Sequence, residues 1–119
     1  MKTRMLARTT LVAAAAQVAM VVAGHYSAPV RDLFAFGGLT ISLLAGLAYA
    51  RMAAGGWAPS LIGGVLAGGA CAFLGIGASV LLRDTPPSLL AFGTAGSAVT
   101  GLIGGAVGRL LAPRSSTAA

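Results

Sequence analysis

The chain has 119 residues, a formal net charge of +6 and one cysteine, with 57% hydrophobic and only 8% charged residues. A typical soluble domain carries roughly 25% charged residues, so a water-facing globular surface of this size is excluded. Long apolar runs separated by short charged or Pro/Gly-bearing breaks point instead to an all-α integral membrane protein with four antiparallel transmembrane helices in a single membrane domain.

The first apolar run covers about residues 9–24 and follows Lys2, Arg4 and Arg8. It is short and Ala-rich, with Gln17 as its one amide. A basic start, an apolar core and small residues at Val21 and Ala23 also fit a signal peptide cleaved after Ala23. The run is expected to be retained as a span. His25 closes the run beside Tyr26, and an interfacial histidine is its plain role, with metal ligation or a pH role as the alternative. Arg31 and Asp32 then mark a boundary where an interfacial ion pair is expected.

The second run, about residues 33–50, carries the small-residue row Gly38, Ser42, Gly46 and Ala50, and ends at Arg51. The third, about residues 61–82, follows a Gly-Gly turn and Trp57. It carries Gly63, Ala67, Cys71, Gly75 and Ser79 in an unbroken i+4 row, then ends at Arg83 and Asp84, a second expected ion pair. Tyr49, Trp57 and Tyr26 read as interfacial anchors.

The fourth run, residues 88–111, holds six glycines between positions 93 and 111. In water each interior Gly costs about 1 kcal/mol relative to Ala. In lipid an unpaired backbone group costs several kcal/mol, which outweighs that penalty, and small residues let helix backbones approach closely. Gly93, Ser97, Gly101 and Gly105 form one row, and Gly96, Thr100, Gly104 and Gly108 a second. Together they cover about half the helix circumference at ~100° per residue. That is more than one neighbour requires, so either internal packing or self-association is implied. Residues 112–119 read as a short tail containing Arg114.

The segments "RDLFAFG" (31–37) and "RDTPPSLLAFG" (83–93) each link two apolar runs, and each following run ends in Arg. This pattern suggests a tandem duplication of a two-helix hairpin. Lys2, Arg4, Arg8, Arg51, Arg109 and Arg114 all fall on one side of four crossings, so both termini are expected in the cytoplasm of a bacterial inner membrane. The expected partner of these cations is anionic lipid rather than nucleic acid.

Catalytic chemistry is not expected. Asp32 and Asp84 are the only carboxylates, none lies mid-membrane as in a coupled transporter, and no glycine elbow surrounds a serine. No cofactor or metal is expected. Cys71 reads as a small packing residue. Gln17, Thr40, Ser42, Thr94, Ser97 and Thr100 are candidates for hydrogen bonds between helices.

The stretches "LLAGLAYARMAAGGWAPSLIGG", "VLLRD" and "GTAGSAVTGLIGGAVGRLL", about residues 43–114, resemble lambda-type phage holins. The resemblance rests on an Ala-Tyr-x-Arg span end, a Gly-Gly turn, an Arg-Asp boundary and a glycine-containing last span. It implies a membrane protein that oligomerises until it opens lesions. The first span and the sparsely charged tail depart from that pattern. The alternatives are an accessory or assembly subunit that packs against other membrane helices, and a small channel or facilitator.

Overall fold

The computed structural model describes residues 2–112, and the described chain is helical throughout apart from short connections. In order these are α1 (Thr3–Tyr26), the four-residue α2 (Ala28–Arg31), α3 (Phe34–Ala53), α4 (Trp57–Leu81) and α5 (Ser88–Leu111). All but α2 are long and apolar enough to cross a membrane. Arg114 and residues 113–119 lie outside the described residues.

The helix ends differ from the apolar runs for local reasons. α1 starts six residues before position 9, because Arg, Met, Leu and Ala are good helix formers and continue the helix through the basic segment. α4 starts at Trp57 because Pro59 falls in the first turn, where its missing N–H is not needed. The bounds of α5 coincide with the fourth run. Helix α2, with Pro29 in its first turn, is an extra element in the first connection.

Two residues without glycine's freedom adopt positive φ. Ala54, at 49°, ends α3 directly before Gly55 and Gly56, and Arg83, at 63°, ends α4. At Arg83 the chain closes a Schellman motif: Arg83 N–H donates to the Val80 carbonyl and Asp84 N–H to the Ser79 carbonyl, both at 3.0 Å. This turn fixes where Asp84 leaves the helix.

α5 seats in the groove between α3 and α4, and α1 covers the opposite side of that pair. The seat is made of backbone. On the α4 side Gly105 meets the Ser60 carbonyl, Gly101 meets Gly64, and Gly68 meets Ser97. A Cβ added to Gly68 would lie 2.7 Å from the Ser97 carbonyl oxygen and 2.8 Å from the Gly101 Cα. On the α3 side Gly104 meets the Leu43 carbonyl, Gly108 meets the Leu47 carbonyl, and Gly46 meets Gly101. Gly101 and Gly105 of the first α5 row thus meet α4, with Gly101 also against Gly46 of α3, and Gly104 and Gly108 of the second row meet α3.

The row read on α4 turns the other way. Gly63 receives the ring of Tyr49, Gly75 receives the side chain of Gln17, and Ala67 and Cys71 are fully buried with Ala13, Ala14 and Ala45. A second row on α4, Ser60, Gly64 and Gly68, faces α5. Outward the bundle shows large apolar side chains, including Leu11, Phe36, Leu44, Phe73, Ile103 and Leu110.

A side chain at Gly101 has only backbone to displace, whereas Gly77 and Gly96 have nothing within 4 Å of an added Cβ. Gly101→Val is therefore expected to destabilise the bundle by at least the ~1–3 kcal/mol of ordinary overpacking. Gly77→Val and Gly96→Val should change stability by no more than about 0.5 kcal/mol. Thermal unfolding of the three variants in one detergent checks this ordering.

Candidate functional site

A polar cluster lies where α1, α3 and α4 meet. Gln17 is 3% exposed, and Ser42 and Cys71 are fully buried. Gln17 Nε2 donates to the Gly38 carbonyl at 3.1 Å, with Ser42 Oγ at 3.5 Å and Cys71 Sγ at 3.6 Å. Ser42 Oγ and Cys71 Sγ both donate to the Gly68 carbonyl, at 3.2 and 3.3 Å. A carbonyl can only accept, so the Gly38 contact fixes which end of the Gln17 amide is nitrogen. Gly38 and Gly75 leave the slot the amide occupies: an added Cβ would lie 3.4 Å from its oxygen at either position.

Beside the cluster is a cavity of about 280 Å³, bounded by the second half of α1, the first half of α3, the second half of α4 and the first half of α5. It exists because α5 diverges from α3 beyond the interlocked glycines. Gly96, at the unused end of its row, lines the cavity with Gln17 and Ser97. Leu39 and Phe92 line it and are also exposed outside, at 40% and 76%, so its mouth opens sideways between α3 and α5. Ser79 and Thr85, also in its wall, hydrogen-bond each other at 2.6 Å. A second, shallower groove lies between α1 and α3, floored by Ala13, Ala16, Ala45 and Ala48, with Arg8 toward its end.

The remaining candidate residues sort by position. Among the described residues the one contact between a basic and an acidic side chain joins His25 Nδ1 to Asp84 Oδ2 at 2.8 Å, a hydrogen bond that becomes an ion pair when the imidazole is protonated. The expected pairs Arg31–Asp32 and Arg83–Asp84 are not formed. Arg31 Nε donates instead to the Gly24 carbonyl at 3.1 Å. The Schellman turn carries Asp84 away from its neighbour and over the end of α1. Tyr26 meets the His25 ring edge-on at a centroid distance of 5.0 Å. Tyr49 is a core residue rather than an interfacial anchor. It is fully buried against Gly63, and its hydroxyl accepts a hydrogen bond from the Lys2 backbone N–H at 3.1 Å. Trp57 is half-exposed with the Arg109 guanidinium 5.4 Å above its ring.

Thr40 and Thr100 spend their hydroxyls on their own helices, bonding the Phe36 and Gly96 carbonyls at 2.8 Å. Gly93 lies under the flexible end of Ile76. No group of three or more His, Cys, Asp or Glu gathers among the described residues. No known protein family, curated protein or solved structure matches the chain.

Two measurements probe this arrangement. Cys71 should be inert to N-ethylmaleimide in the folded protein and react fully once sodium dodecyl sulfate unfolds it. Gln17→Leu should preserve that protection and lower stability by less than about 1 kcal/mol, since interhelical hydrogen bonds in membrane proteins average about 0.6 kcal/mol. A double-mutant cycle on His25→Ala and Asp84→Ala should give a coupling of about 0.2–1 kcal/mol in thermal or denaturant unfolding, the range of a partly exposed pair.

Proposed function

We propose that the chain is a non-catalytic membrane component that works by packing against another transmembrane helix, as an accessory or assembly subunit. In this reading the four long helices cross the bilayer as consecutive antiparallel spans. Lys2, Arg4, Arg8, Arg51 and Arg109 mark the cytoplasmic end of a bacterial inner membrane. Anionic lipid headgroups surround these cations.

The observation that carries the reading is the α1/α3 groove. The glycines at the α3, α4 and α5 contacts are largely taken up by one another, whereas the α1/α3 groove keeps Val12, Ala16, Leu44 and Met52 exposed above the buried Ala13 and Ala45. Small residues are what a helix needs for close approach in lipid. Arg8 at the end of the groove favours a partner helix with an acidic residue at its cytoplasmic end.

A self-assembling, pore-forming role of holin type is the second reading, favoured by the resemblance over residues 43–114 and by the same groove, which a second copy could enter. The part of the small face of α5 left for it is the Gly96 end, since Gly101, Gly104, Gly105 and Gly108 are met by α3 and α4. A channel or facilitator has less support, because Gln17, Ser42 and Cys71 are bonded to one another rather than spaced along a path.

A photo-crosslinking residue at Leu44, in the groove, is expected to capture one specific heterologous membrane protein in living cells, and one at Ile103 to capture none. Ala16→Trp should abolish the crosslink. Capture of a second copy, with abrupt collapse of the membrane potential on controlled expression, would transfer the assignment to the holin reading.

A further inference from the structure

Gln17 Oε1 accepts no hydrogen bond from the described residues, although Gln17 is 3% exposed and lines the 280 Å³ cavity. The nitrogen end of the amide is committed to the Gly38 carbonyl, so the acceptor end is the one left toward open space. The oxygen is not among the fully enclosed unpartnered atoms, so it keeps surface open to the cavity it lines, and an amide oxygen without a donor in apolar surroundings is costly. Ser79 and Thr85, in the same wall, already satisfy each other. No charged side chain lines the cavity, and the rest of its lining is hydrocarbon, aromatic or glycine apart from Ser97 and the Met20 thioether.

We propose that this cavity binds a neutral, mainly hydrocarbon molecule carrying one hydroxyl group, whose O–H donates to Gln17 Oε1. A 150 Å³ apolar cavity accommodates benzene, which scales to about a dozen non-hydrogen atoms here. The ligand enters sideways from the surrounding lipid between Leu39 and Phe92. The site lies toward the opposite end of the bundle from the α1/α3 groove, so it stands or falls independently of any partner helix.

The test uses the full chain in liposomes and a diazirine-bearing 4-alkylphenol of this size, with its methyl ether as the donorless control. Irradiation and peptide mass spectrometry locate the adducts. The phenol should label residues 34–39 and 89–96 saturably, about five-fold more strongly than the ether, the worth of one hydrogen bond. Gln17→Leu should remove that preference. Gly96→Phe, placed where an added Cβ meets nothing within 4 Å, should remove saturable labelling by both. Retained Cys71 protection from maleimide certifies that each variant is folded, and the wild-type comparison decides alone if a variant is not. Equal labelling by phenol and ether, or unsaturable labelling spread over outward residues such as Val99 and Leu102, would overturn the proposal.

Discussion

The bundle depends on the contact between the α5 backbone and the carbonyl ridges of α3 and α4. Gly101, Gly104, Gly105 and Gly108 place Cα atoms where any side chain would collide with Gly64, Leu43, Ser60 or Leu47. For helices this apolar placed in lipid, whose tails are as apolar as leucine, hiding side chains would yield little, and dispersion between closely packed backbones would be the main source of cohesion. Cα–H groups brought against carbonyls add weak hydrogen bonds of about 0.5–1 kcal/mol each. The same glycines would weaken a helix in water by about 1 kcal/mol apiece. Their use fits a helix enforced by the absence of competing water, as in the hydrocarbon of a bilayer that four of these helices are long and apolar enough to cross.

This close seat makes the two hairpins unequal. α4 and α5 are joined by facing glycines, whereas α1 meets α3 and α4 through alanines, Gln17 and the Met20–Gly37 contact. A duplicated hairpin would have begun with equal halves. Here α5 lies across from α1 rather than against it, while α3 and α4 touch directly. The inequality also accounts for the empty space. Glycines interlock α5 with α3 between Leu43 and Gly108, but on the other side of Gly101 the helices part, and the cavity fills the wedge. The His25–Asp84 pair closes the bundle at that same end, binding α1 to the α4–α5 connection where backbone contacts are sparse.

Helix existence was legible because composition and run length determine it, and α5 could be bounded to the residue. The start of α1 was not, since a hydropathy reading stops at Arg8 while helix propensity does not. The small-residue rows were legible as rows but not as pairs. Nothing in the spacing says that one α5 row belongs to α4 and the other to α3. The row Ser60, Gly64 and Gly68 is hidden in the sequence by the longer row from Gly63, whose members Gly63 and Ala67 stand one residue before Gly64 and Gly68. Tyr49 was misread because its position near Arg51 suggests the interface, and only the hole left by Gly63, fourteen residues on, makes room for its ring. His25 and Asp84 are 59 residues apart, beyond any local rule.

Gln17 gathers these threads. An amide in the middle of an apolar helix needs partners, and it finds donors' work for its nitrogen at Gly38, Ser42 and Cys71, on two other helices. A leucine there would fill much the same volume, so packing alone does not require an amide. Its net contribution to stability is small by the standard of interhelical bonds, yet it orients α1 against the other two helices, since only one rotation of α1 brings residue 17 to all three. That orientation leaves its oxygen toward the wedge where α5 has moved away. A polar group that stabilises little and faces an otherwise apolar cavity is better explained by what it can accept there than by what it holds together.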